Sequence, residues 1–146
     1  MLDIADEISR VKKELGIISI IDAKKCVSGL DEIEIRGAAL SLATLYNGLE
    51  KLFILMLKSL EVSIPNDNNW HANLLKLVQE HGIINGDLLS ELARFLSFRH
   101  FVHHAYSFEI DPAAIYSVLE KAPAITEKTI YMIEQYITIH GKNEVV

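Results

Sequence analysis

Cysteine is nearly absent from this sequence: Cys26 stands alone, so no internal disulfide can form and a disulfide-stapled scaffold is excluded. A lone cysteine commonly packs in a core, and Cys26 is expected there. Only three prolines and seven glycines occur in 146 residues, which disfavours a disordered, low-complexity or strand-rich chain. Long apolar runs are missing as well. The longest, Leu52 to Leu57, is closed by Lys51 and Lys58, far short of the roughly 20 residues that span a bilayer, so no membrane partner is expected. Positive charge is also scarce. A formal net charge of −6 excludes a surface that is basic all over, and any contact with nucleic acid must be local. The opening residues Met1, Leu2, Asp3 and Ile4 are acidic where a secretory leader would be basic, and with the lone cysteine this points to the cytoplasm.

What is present is apolar surface at helical spacing. Hydrophobic residues make up 50% of the chain, dominated by Leu, Ile and Ala, and the length suits a single domain over 1–146 that buries roughly 68–70% of its unfolded surface. There is no internal repeat. Breaks at the turn formers divide the sequence into five helices. The first runs from Asp3 to about Cys26 on Ile4, Ile8, Val11, Leu15 and Ile18, although Gly16 and the β-branched run Ile17 to Ile21 weaken its middle. Asp31 is placed to cap the second, whose stripe is Ile35, Ala38, Leu42, Leu45, Leu49, Leu52, Met56 and Leu60. After the loop Pro65 to Asn69, a short helix carries Trp70, Leu74, Leu77 and Val78 and ends at Gly82. The fourth starts near Asp87, with Leu88, Leu92, Phe95, Val102 and Tyr106 on one seam. Asp111 and Pro112 open the fifth, Pro123 should restart or kink it, and His140 and Gly141 should close it. The fold class is therefore all-α, a bundle of about five helices.

The chemistry-bearing anomaly is local. Three of the six histidines and two of the four arginines fall between Arg94 and His104. A helix advances about 100° per residue, so Arg99, His103 and Tyr106 share one face while His100 and His104 share another. Arg99 also occupies a step of the apolar seam, and a guanidinium there needs an anionic partner because burying an unpaired charge is expensive. A phosphate would serve. Glu50, on the helix face of Tyr46 and Phe53, is a protein partner that could hold Arg99; a plain surface or interhelical salt bridge is an equal alternative.

Arg99, four residues, His104, one residue, Tyr106, within RHFVHHAY, resembles the signature of HepT-like toxins of the HEPN superfamily. The likeness extends to YNGLEKLF (Tyr46 to Phe53), to Trp70 and His71 followed by Leu74 and Leu75, and to FRHFVHHAYSFEID through Asp111. It covers most of Asp31 to Leu119, while the first helix is similar only in character. The resemblance implies a HEPN-type bundle and metal-independent RNA cleavage in which the substrate's own 2′-hydroxyl attacks the adjacent phosphate. His104 would transfer a proton, and Arg99 would stabilise the phosphate charge. Neighbouring positive charge should keep His104 uncharged and available as a base.

On a regular helix Arg99 and His104 stand about 140° apart, awkward for closing on one phosphate. The resemblance implies a homodimer whose facing motifs bring Arg99 of one copy to His104 of the other; a bend near Ser107 is the alternative. It also implies that Tyr106 accepts AMP from a minimal nucleotidyltransferase antitoxin, which would silence the site by charge and bulk. A tyrosine on an apolar seam is more ordinarily core with its hydroxyl at the edge.

A purely structural alternative pairs Arg99 and His104 within the bundle and leaves His100 and His103, the candidates for positioning RNA, solvated. His71, His81 and His140 lie near helix ends and are expected to cap or to sit at the surface. His100 and His104 have the i, i+4 spacing of metal ligands, but no neighbouring carboxylate or cysteine completes a set, so neither metal nor cofactor is expected. A non-catalytic HEPN module that binds a nucleotide or a nucleotidyltransferase is the alternative function. An unrelated helical interaction domain is a third.

Overall fold

The computed structural model describes residues 2–104 and 111–144. Among them there are five α-helices and no strand: α1 (Leu2–Ser28), α2 (Glu32–Ser59), α3 (Trp70–Glu80), α4 (Gly86–His104) and α5 (Pro112–Glu144). The helix stops have local causes. Asp31 Oδ1 accepts from the Glu34 amide at 2.8 Å while Glu34 Oε1 accepts from the Asp31 amide at 2.9 Å, a reciprocal capping box that opens α2. Gly82 takes a φ of 76° after α3, the left-handed turn that lets the Ile83 amide reach back to the Val78 carbonyl at 2.9 Å. Asn85 Oδ1 then caps α4 through the Leu88 amide at 2.8 Å, and Asp111 Oδ1 does the same for α5 through the Ala113 amide at 3.1 Å.

The core forms around α2, which packs against each of the other four helices. Ala38, Leu42, Leu45, Leu49, Leu52 and Met56 are buried along it, as the stripe predicts. By length and composition α2 could cross a membrane, but 56% of its most apolar window is buried within the fold, as expected of a central helix wrapped by others. Helix α1 lies along α2 and α5 and buries Ile4, Val11 and Ile18. That packing overrides the weak propensity of the Ile17 to Ile21 run. At Gly48, a Cβ would stand 2.8 Å from Val11 Cγ2, so α2 approaches α1 more closely than a larger residue permits.

Three expectations are corrected. Cys26 is exposed. The α1 stripe advances by sevens from Ile4 through Val11 and Ile18 to Lys25, whose side chain is only 9% exposed and whose Nζ lies 3.1 Å from Asp22 and 2.9 Å from Glu120. Lys25 thus takes the inward position with its alkyl stem, and Cys26, one step on, turns outward. Pro123 does not restart α5, which is a single helix through it. Pro123 removes one hydrogen bond, and buried Leu119, Ala122, Ile125 and Ile130 on both sides hold the helix together. Nor do His140 and Gly141 close it, since α5 runs on to Glu144.

Candidate functional site

The inner face of α4 meets α2 and α3 through one polar cluster in an apolar setting. On α2, Tyr46 and Glu50 are one turn apart and both buried; on α4, Phe95 and Arg99 repeat that spacing and are also buried. The Tyr46 and Phe95 rings pack with centroids 5.3 Å apart, and the Arg99 guanidinium carbon lies 5.2 Å from the Tyr46 ring centre. The Tyr46 ring is thus the floor under the guanidinium, and Phe95 packs against that ring. Burial raises the Tyr46 phenol pKa above its usual range, the Glu50 charge adds to the rise, and Arg99 opposes it.

Arg99 is held on one side. Its Nη1 donates to Asn47 Oδ1 at 2.7 Å and to Glu50 Oε1 at 3.3 Å. The side chains of Arg99 and Glu50 are 10% and 7% exposed, so this is a buried ion pair and not the surface salt bridge that the sequence left open. Its Nη2 faces the His71 ring, 3.1 Å from Nδ1 and 3.5 Å from Nε2. The His71 Nδ1 lies 2.7 Å from Glu50 Oε2. A carboxylate only accepts, which assigns the Nδ1 proton to that bond; in the neutral ring Nε2 is then the acceptor that faces Arg99 Nη2, and the 3.1 Å approach of Nη2 to Nδ1 is a contact between two donors. Trp70 stacks on His71 with ring centroids 3.7 Å apart.

The other edge of the guanidinium is only half satisfied. Arg99 Nε is buried without a hydrogen-bond partner, and Nη2, which shares that edge, meets His71 and no other group among the described residues. Such an orphaned donor is costly. The Nε and Nη2 pair is the fork that binds carboxylate or phosphate oxygens bidentately.

His71 is the residue that sequence reasoning missed. It was expected to cap a helix or sit at the surface, yet it bridges Glu50 and Arg99. Its place at the α3 start is what brings it there: the loop after α2 delivers Trp70 and His71 over the Tyr46 to Glu50 turn. The available signal was Glu50 itself, a carboxylate with two oxygens whose burial calls for more than one donor. Asn47 was likewise missed, because nothing in an exposed position on α2 marks it as an arginine partner.

The remaining candidates lie on a different side. His100, His103 and His104 are exposed near the C-terminal end of α4, and the His100 and His104 rings pack with centroids 4.3 Å apart. Arg99 and His103 share a helical face by arithmetic, but α2 and α3 cover only the first of them. Among the described residues no group of three or more His, Cys, Asp or Glu side chains converges as a metal site. Within one copy, then, Arg99 points into the bundle and His104 out of it. Tyr106 and the proposed bend near Ser107 lie outside the described residues.

A separate groove lies between α1 and α2, where Arg10, Lys13 and Lys51 alternate with Glu7 and Glu14; Asn47 is the one residue it shares with the Arg99 cluster. Its mixed charge and lack of a buried unpaired group make it a poorer anion site than the guanidinium edge.

The profile of the family described as "HepT-like protein" matches residues 37–140, a span that contains Tyr46, Asn47, Glu50, His71, Arg99 and His104. No curated protein matches the chain. The match extends from the first turns of α2 nearly to the end of α5, with the polar cluster and the histidine-rich turn inside it, and the chain therefore belongs to the HepT-like family.

Proposed function

We propose that this protein is a metal-independent endoribonuclease toxin of the HEPN type, acting in the cytoplasm as a homodimer. The observation that carries the reading is Arg99 Nε, buried and without a hydrogen-bond partner, beside an Nη2 that meets the His71 ring, on the helix that ends in His100, His103 and His104. A phosphodiester seated on that edge receives charge-assisted hydrogen bonds that strengthen as negative charge grows in the transition state. His104 supplies proton transfer. Because Arg99 and His104 leave α4 in different directions, the working site is shared between two copies, with His104 of each serving Arg99 of the other. His100 and His103 help to seat the RNA backbone. The partner is a minimal nucleotidyltransferase that places AMP on Tyr106 and so blocks the cleft.

The test is complementation. Arg99→Ala and His104→Ala should each lose RNA cleavage by about 10²-fold or more, with cleavage by the wild type unaffected by EDTA. Mixed under conditions of demonstrated subunit exchange, the two dead variants should regain part of the activity through hybrid dimers with one intact site. A mixture as inactive as its parents removes the shared site. The second reading, a HEPN module that binds without cleaving, is favoured by the engagement of Arg99 Nη1 with Asn47 and Glu50, which leaves part of the guanidinium committed to the fold. It prevails if the wild type cleaves no RNA while still binding a nucleotidyltransferase. AMP on the Tyr106 peptide, absent in Tyr106→Phe, is the expected mass-spectrometric result for the regulated toxin.

A further inference from the structure

We infer that His71 is a second proton-transfer residue of this site: it takes the 2′-hydroxyl proton, and Glu50 fixes the tautomer that allows it to do so. The inference rests on the ribonuclease reading above and deepens it.

Cleavage by the adjacent 2′-hydroxyl requires two proton movements. A bond forms between the 2′-oxygen and phosphorus as the 2′-proton departs, and the bond from phosphorus to the 5′-oxygen breaks as that oxygen gains a proton. The products are a 2′,3′-cyclic phosphate and a 5′-hydroxyl. One histidine in the site can serve both only in turn, whereas two can act together. The second is already in place. Nε2 of His71 lies 3.5 Å from Arg99 Nη2, so a phosphate that draws that donor to itself frees the Nε2 lone pair beside it. Bound on the Nε and Nη2 edge, the phosphate brings its neighbouring 2′-hydroxyl to the His71 side.

Three further observations support the role. The Glu50 bond at 2.7 Å holds the proton on Nδ1, which leaves Nε2 as the accepting nitrogen, and the same carboxylate then stabilises the imidazolium that forms. Stacking on Trp70 fixes the ring plane. Exposure grades in the right sense: the His71 side chain is 32% exposed and that of Glu50 7%, so the accepting group faces the substrate and its orienting group lies behind it. The base role expected of His104 from the sequence passes to His71. His104 becomes the acid and delivers the proton to the 5′-oxygen.

The experiment uses the full-length wild type, His71→Asn, His71→Ala and His104→Ala on an oligoribonucleotide with one wild-type cleavage site, and on the same RNA carrying sulfur in place of the bridging 5′-oxygen. A thiolate leaves without an acid. His71→Asn retains a donor near the Nδ1 position for Glu50 but has no base. It should cleave both substrates at least about 100-fold more slowly than wild type, yet bind a 2′-deoxy analogue of the site within about twofold. His71→Ala should behave alike, and circular dichroism identifies any variant that has lost its fold. His104→Ala should be slow on normal RNA and recover to within about tenfold of wild type on the sulfur substrate. The inference is overturned if both His71 variants cleave at the wild-type rate, if sulfur rescues them, or if binding falls in step with cleavage. A wild type that cleaves neither substrate overturns the ribonuclease reading itself, which separates the two failures.

Discussion

Two carboxylates, Glu7 and Glu50, are buried to nearly the same degree, 4% and 5% exposed, and do opposite things. Glu7, on α1, pairs with Lys51 Nζ at 3.0 Å and Arg10 Nη1 at 3.4 Å, and those cations are 58% and 66% exposed. Its partners reach in from solvent. Glu50, on α2, pairs with a guanidinium and an imidazole that are 10% and 32% exposed and that touch each other. The first arrangement latches two helices, because either cation can return to water at little cost. The second assembles polar groups that have given up water to converge on one point, and it leaves Arg99 Nε without an acceptor. Burial of an acid is therefore a poor guide to a site; the hydration of its partners discriminates.

The largest test of that comparison is charge removal at each acid. Glu50→Gln leaves Arg99 buried beside a neutral group and should cost about 3 kcal/mol, at the low end for breaking a buried pair because Asn47 and His71 remain as neighbours. Glu7→Gln releases two solvated cations and should cost less than about 1 kcal/mol. Urea denaturation of both variants reads the difference, and equal losses would erase the distinction.

A smaller effect sharpens the reading of the Glu7 side as a packing seam. Gly48→Ala places its Cβ 2.8 Å from Val11 Cγ2 and 3.9 Å from Glu7 Oε2, and should destabilise the protein by about 2 kcal/mol through overpacking. Combined with Val11→Ala, it should cost less than the sum of the two single changes, since they share one space. Strict additivity would place the crowding elsewhere.

The smallest effect belongs to the Glu50 side. The Tyr46 hydroxyl is buried without a partner, so Tyr46→Phe should change stability by no more than about 1 kcal/mol and in the favourable direction. The sign of its pH dependence follows from a folded-state phenol pKa raised above the unfolded one. That contribution is intact below the unfolded value near 10 and is lost as pH rises beyond it. Thermal melts between about pH 9 and 11 should show the wild type losing stability more steeply than Tyr46→Phe. Parallel curves would mean that Tyr46 ionises as freely in the fold as outside it.

Much of the fold was legible because helical spacing and caps are local. Ile4, Val11 and Ile18, the α2 stripe, the Asp31 cap and the Asp111 and Pro112 start all follow from residues a few positions apart. The errors came where distant packing outvoted local chemistry. Pro123 is a helix breaker by itself but not between buried Leu119 and Ile125, and Cys26 is a core residue by type but not beside Lys25, which holds the inward position. Of the candidate site, Arg99 and its anomaly on an apolar seam could be read directly. His71 could not, because its neighbours Glu50 and Arg99 lie 21 and 28 residues away in the chain.

Periodicity and local spacing were enough to establish that the protein is helical, that its core follows the α2 stripe, and that an arginine and three histidines crowd the end of one helix. Each of these depends on periodicity or on spacing within a few turns. Which groups face one another emerges only from the packed helices: Glu50 is the counter-ion of Arg99, Asn47 and His71 complete the cluster, and His104 points away from it within one copy. Those outcomes depend on how three helices cross, and helix crossing is set by side-chain packing over whole faces, which no single segment of the sequence records.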